Sequence, residues 1–139
     1  MQHWLKMVGA ANWPLPNEWL ADGGGRRTDL LDRVRFSRSR RPSGVRAGDR
    51  LVYYAAKWQR YFAVVEVIST ESYEEEAESR WPLALDVEAK LLVPKLSIAP
   101  PVTDLNLRAG NYSVRTQSHI ALNREQYARA VAGLAAVAS

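Results

Sequence analysis

Two residue types in this sequence stand out as able to do chemistry: aromatic rings and arginines. The chain of 139 residues holds five tryptophans, Trp4, Trp13, Trp19, Trp58 and Trp81, alongside six tyrosines. Nine arginines (Arg26, Arg27, Arg33, Arg35, Arg38, Arg40, Arg41, Arg46 and Arg50) fall between positions 26 and 50, against Asp29, Asp32 and Asp49. A planar ring stacks on the π-face of any nucleobase, and a guanidinium fork matches the oxygens of a phosphate. Rings beside arginines are therefore what recognition of a nucleotide requires. Trp4 and Trp19 also suit a core, because aromatic rings supply large buried area. Trp13 and Trp58 sit in stretches flanked by proline or lysine, where a binding wall is the sharper reading. The acidic run Glu71, Glu74, Glu75, Glu76 and Glu78 reads as a solvated loop of opposite sign.

Other chemistries find little support. With no cysteine there is no disulfide scaffold, no thiolate nucleophile and no Cys-built zinc site. His3 and His119 are the only histidines, too few for an H-E-x-x-H motif or a His cluster. No G-x-S-x-G elbow occurs. Gly23, Gly24 and Gly25 lead into Arg26-Arg27 rather than Lys-Ser or Lys-Thr, so they do not form a nucleotide-binding P-loop. No catalytic residue, metal or cofactor is expected, and the chain reads as a binding protein rather than an enzyme. The first residues lack a basic stretch followed by an apolar one, and no apolar run approaches the ~20 residues that span a bilayer. A cytoplasmic protein with no membrane partner is the expectation. The net charge of +4 hints at a polyanionic partner.

The elements that must position these residues follow from period and punctuation. Residues 3–8 read as a first strand, with Trp4, Leu5, Met7 and Val8 around Lys6. Residues 28–34 suggest a short helix capped by Thr28, with Leu30, Leu31 and Val34 on one face. Residues 36–46 read as basic and irregular, and Ala47-Gly48-Asp49 as a turn. Residues 50–56 and 61–68 read as paired strands, the second so apolar that it must be central. In 81–93, Leu83, Leu85, Val87, Ala89 and Leu91 alternate with more polar neighbours, the period of a half-buried strand. Residues 119–122 suggest a short closing strand. Asn123 with Gln126 forms a capping box, opening a helix that docks through Tyr127, Val131, Leu134 and Ala138. No internal repeat or second domain is evident, so residues 1–139 read as one α+β domain, a small mixed β-barrel flanked by short helices with its C-terminal helix docked on the barrel.

One set of motifs goes further. Val34-Arg35-Phe36-Ser37-Arg38-Ser39-Arg40-Arg41, followed by Val45-Arg46-Ala47-Gly48-Asp49-Arg50-Leu51-Val52-Tyr53-Tyr54, resembles the V-R-N-x-x-A-R-N and M-K-x-G-D-x-V-x-F-Y elements of the EVE domain family. That family belongs to the PUA-like superfamily and is related to YTH-type readers and ASCH domains. His3-Trp4-Leu5 looks like its Y-W-L first strand, and Trp81 leading into Leu85-Asp86-Val87 is similar to its W-x-x-V-D-V strand. Val114-Arg115-Thr116-Gln117-Ser118, then Leu122 and Glu125-Gln126-Tyr127, resembles its late R-Q-S-R-L-S-V segment and helix start. The matches keep the family's order over most of the chain. Departures are Lys6-Met7-Val8-Gly9, where the family often carries K-S-E-P, Phe36 at the N of V-R-N, and the loop from Ala10 to Arg27, which has no counterpart in the family. These differences fall on expected pocket walls.

The resemblance implies a PUA-like barrel that binds DNA or RNA and takes a flipped nucleobase, often a modified one, into an aromatic-lined pocket. A methylated base carries an apolar group that rings can enclose, while hydrogen bonds fix its edge. The candidate pocket residues are Trp4, Trp13, Ser37, Ser39, Tyr54 and Trp58. The candidate phosphate ligands are Arg35, Arg38, Arg40, Arg41 and Arg115. A binder of free nucleosides or other small molecules is the alternative, with an enzyme acting on nucleic acid behind it.

Overall fold

The structure, a computed structural model, describes residues 1–8, 15–19, 28–36, 44–69, 73–74, 83–105 and 119–137. Its strands are β1 (His3–Val8), β2 (Arg33–Phe36), β3 (Arg50–Ala55), β4 (Arg60–Val67), β5 (Tyr73–Glu74), β6 (Leu83–Leu92) and β7 (His119–Leu122). They form one mixed sheet in the order β2-β6-β4-β3-β1-β7, with β5 added to β6. Among the described strands β1 and β3 are the parallel pair; every other pairing is antiparallel. Among the described residues one α-helix, α1 (Arg124–Val137), follows β7.

The apolar run of β4 has its physical reason here. β4 lies between β3 and β6, and its residues from Tyr61 to Val65 are buried on both faces. β6 keeps the period-2 pattern, burying Leu83, Leu85 and Val87 while Glu88 and Lys90 face water. Two register shifts, at Tyr53/Tyr54 and at Val64/Val65, sharpen the curl of the sheet. The curl brings the two edge strands together. Phe36 on β2 and His119 on β7 meet ring to ring, centroids 5.3 Å apart. Among the described residues no backbone pairing joins β2 to β7, so the sheet is a half-barrel with a side-chain seam.

The two faces of the sheet do different work. The pairing register puts Trp4, Lys6, Leu51, Tyr53 and His119 on one face, inside the curl, and Leu5, Met7, Val52 and Tyr54 on the other. α1 covers the second face. Ala130 and Leu134 are its buried residues, and Tyr127 stacks on His3 with centroids 3.9 Å apart. The expected capping box forms: Asn123 N donates to Gln126 Oε1 (2.9 Å), and Gln126 N donates to Asn123 Oδ1 (2.7 Å).

Two elements depart from expectation, and one is β5, a two-residue strand on β6 within the acidic stretch read as a loop. The expected helix over 28–34 is a 3-10 turn, Thr28–Leu31, and the chain then enters β2. Strand pairing with β6 buries Val34 and Phe36 together, as alternation requires, and this outweighs the local helical spacing. The connector after β6 also holds two short 3-10 turns, Leu96–Ile98 and Val102–Leu105.

Candidate functional site

Trp4 is held by a hydrogen bond at one edge of its ring. Its indole nitrogen donates to Asp49 Oδ2 at 3.1 Å. Asp49 is itself only 5% exposed and takes two further bonds, from Gln2 N to Oδ1 (3.0 Å) and from Arg46 N to Oδ2 (2.9 Å). Burial alone would raise the pKa of this carboxyl. The backbone bonds from Gln2 and Arg46, the Trp4 indole and the N-terminal ammonium outweigh it and hold Asp49 below the usual carboxylate range. The charged form is thus the stable one, and it ties the start of β1 to the turn before β3. Backbone bonds complete the knot: Asp49 N to Arg46 O, Gly48 N to Val67 O and Arg50 N to Gln2 O.

Gly44 closes over the other side of the ring. Its backbone is left-handed (φ 79°), and a Cβ there would stand 3.3 Å from Cη2 of Trp4. Only glycine accepts both the backbone conformation and the close approach.

Beyond Trp4, inside the curl, lies a small cluster. His119 meets Trp4 edge to face at 5.3 Å and Phe36 at the same distance. Lys6, 6% exposed, holds its ammonium 4.8 Å from the centroid of the Phe36 ring and donates to Met7 O at 2.7 Å. A cation over a ring face gains from the ring quadrupole, most when desolvated. Three rings and one ammonium therefore converge on the β2/β7 seam.

The candidate residues divide by place. Trp4 lies in this cluster. Tyr54 is buried on the opposite face of the sheet. Trp58 sits in the turn after β3, where its indole donates to Leu15 O at 2.9 Å. Trp4 pairs with Leu51 near the start of β3, so Trp58 is a strand's length away, on the order of 15 Å at about 3.3 Å per residue. Arg35 alternates with Val34 and Phe36 on β2, which turns it to the outer face of that strand. The structure thus brings neither Tyr54, Trp58 nor Arg35 to the Trp4 cluster. Trp13, Ser37, Ser39, Arg38, Arg40, Arg41 and Arg115 lie outside the described residues.

Sequence reasoning missed Lys6 and Phe36 as neighbours of Trp4, and it read His119 as a strand residue. The signal for Lys6 was present: a charge in an apolar strand, two residues from Trp4 and hence on its face. Phe36 and His119 gave no such signal, because their meeting depends on how far the sheet curls. Among the described residues no group of three acids or histidines is placed to hold a metal ion, and no helix is long and apolar enough to cross a membrane.

No family model matches the chain, and no curated protein matches it. Solved structures do. A protein from Rhodopseudomonas palustris is 14% identical, covers 99% of this chain and 95% of its own, and has a TM-score of 0.59. One from Agrobacterium tumefaciens is 16% identical, with 96% and 93% covered and a TM-score of 0.56. A hypothetical protein from Leishmania major is 13% identical, with 95% and 93% covered and the same TM-score of 0.56. At these identities the likeness is one of fold, and it extends over nearly the whole chain.

Proposed function

We propose that this chain is a nucleic-acid-binding module that takes up a flipped nucleobase, modified or unmodified, at the β2/β7 seam, with Trp4 as its fixed stacking wall. The observation that carries the reading is where the arginine-rich segment is anchored. Residues 37–43, which contain Ser37, Arg38, Ser39, Arg40 and Arg41, leave β2 at Phe36 and return at Gly44. Phe36 touches His119, and Gly44 packs on Trp4. Both ends of the basic segment are thus tied to the ring cluster. A base stacked there would bring its phosphates within reach of guanidinium groups, and extrusion costing a few kcal/mol would be offset by stacking and phosphate contacts. His119, one residue beyond 106–118, similarly ties the segment that carries Arg115 to the same cluster. The EVE-like motifs of the sequence, and the PUA-like barrel they imply, support the same reading.

Titration of intrinsic tryptophan fluorescence with short single-stranded oligonucleotides, with and without a methylated base, tests it at two salt concentrations. Saturable quenching is expected, lost in Trp4→Phe. Affinity is expected to fall roughly tenfold to twentyfold between about 50 and 200 mM salt if three phosphate contacts release counterions. Binding to free nucleosides with no salt dependence would replace this reading with that of a small-molecule pocket. An absence of quenching by either would refute both.

A further inference from the structure

Arg46 is tied to Trp4 through a shared atom. Its backbone N–H donates to Asp49 Oδ2 at 2.9 Å, the same oxygen that accepts the Trp4 indole at 3.1 Å. Its carbonyl accepts from Asp49 N at 3.0 Å. That bond closes a turn over residues 46–49, and Gly48, at φ 91°, supplies the left-handed third position that a type II turn requires. Two residues before Arg46, Gly44 packs on the same indole. The root of the Arg46 side chain is thus fixed beside the ring. Arg46 itself is exposed, and among the described residues its guanidinium meets no acid. Arg50, four positions on, is by contrast engaged by Glu66 and Tyr127. Trp4 is half-buried, so part of its ring remains open to a ligand.

We infer that Arg46 holds the phosphate attached to the base stacked on Trp4, which makes this a site for a phosphorylated nucleotide of a strand. This rests on the nucleobase reading above. A base that stacks on an open ring brings its phosphate with it, and a guanidinium rooted beside that ring meets it with the backbone already in place. The guanidinium is always charged, is weakly hydrated and can give two parallel N–H bonds to phosphate oxygens. Asp49 does not compete for it, because its carboxylate is buried and already accepts three N–H bonds. The same carboxylate therefore sets the positions of the stacking ring and of the cation together.

Tryptophan-fluorescence titrations of the full chain and of Arg46→Gln decide the matter. The probes are short single-stranded oligonucleotides, each with one phosphate replaced by an uncharged methylphosphonate. Replacement beside the stacked base is expected to weaken the wild-type chain about fivefold to tenfold. Arg46→Gln is expected to bind the unmodified strand with that same deficit, and to be indifferent to the same replacement within about twofold. Replacements elsewhere should cost both proteins equally. The slope of log affinity against log salt should fall by about 0.7 in the variant, the value of one single-strand phosphate contact. Its quenching at saturation and its melting temperature should match wild type, since Trp4 is still in place and the lost side chain is exposed. If wild type binds and Arg46→Gln keeps its sensitivity at every position, the role of Arg46 is overturned and the nucleobase reading stands. A deficit spread evenly over all positions marks a diffuse charge effect and overturns that role too. A wild-type chain that binds none of the strands overturns both.

Discussion

Asp49 accepts three hydrogen bonds from Gln2, Arg46 and Trp4, which belong to two stretches of chain. Removal of the carboxylate leaves an indole and two backbone N–H groups without their acceptor in a nearly buried place. Bonds to charged acceptors contribute about 1.5–3 kcal/mol, and unsatisfied buried donors cost comparably, so Asp49→Ala is expected to lose about 2–3 kcal/mol in denaturant titrations. Asp49→Asn retains an acceptor oxygen and should fall between. Tyr61 is the converse case. Its ring is fully buried, and among the described residues its hydroxyl has no partner. Burial, with Asp104 adding a repulsive charge, pushes its pKa up to about 12. Since no bond is lost, Tyr61→Phe is expected to leave stability unchanged or raise it. A loss above about 1 kcal/mol in the same titration would contradict the isolation of that hydroxyl.

The helix α1 is where two element-scale effects oppose each other. Gly133 faces Tyr61, and a Cβ there would stand 2.2 Å from the hydroxyl oxygen and 3.2 Å from the carbon that bears it. Alanine in a helix gains up to about 1 kcal/mol over glycine, whereas overpacking a rigid core costs about 1–3 kcal/mol. The clash should win, so Gly133→Ala is expected to destabilise, and adding Tyr61→Phe should recover part of the loss. A Gly133→Ala protein that melts higher than wild type would show that the helix can shift off the sheet. The reciprocal cap at Asn123 was legible from its spacing alone, as were β1, β3, β4 and β6 from their periods, because each is governed by neighbours a few residues away. The stretch 28–34 was not, since its Val34, together with Phe36 just beyond it, answers to Leu85 and Leu83 on β6. The candidate site divides the same way. Trp4 was legible as an aromatic in a first strand, but Tyr54 and Trp58 carried the same residue-type signal and are separated from it by face and by strand length. Residue type says what a side chain can do; the register of strands and the curl of the sheet decide which side chains do it together.

On the scale of the whole molecule, the start of the chain is held by groups whose protonation acts in one direction. His3 stacks on Tyr127 and has its pKa lowered below 6.5, first by burial and then by Arg50, the N-terminal ammonium and Arg124, with Asp49 opposing them. Arg50 is itself anchored by Tyr127 Oη at 3.1 Å and Glu66 Oε1 at 3.3 Å, so it remains beside His3. The unfolded chain therefore binds a proton at His3 before the folded one does. Its contribution is fully present above about pH 6.5 and declines as acidification moves through the window between the unfolded and folded values. Asp49 is depressed below 3.8 in the fold, so its contribution is present above that value and lost as pH falls through the folded one. Both groups bind β1, the strand that carries Trp4 and Lys6, to the rest of the sheet. The melting temperature is thus expected to be flat between about pH 7 and 9, to decline first below about 6.5 and again below about 4, and to fall on the alkaline side above about 10, where Tyr61 loses its proton in the unfolded chain first. His3→Phe, which retains the stack on Tyr127, should abolish the first decline and leave the second. An unchanged profile in that variant would assign the first decline to a group other than His3.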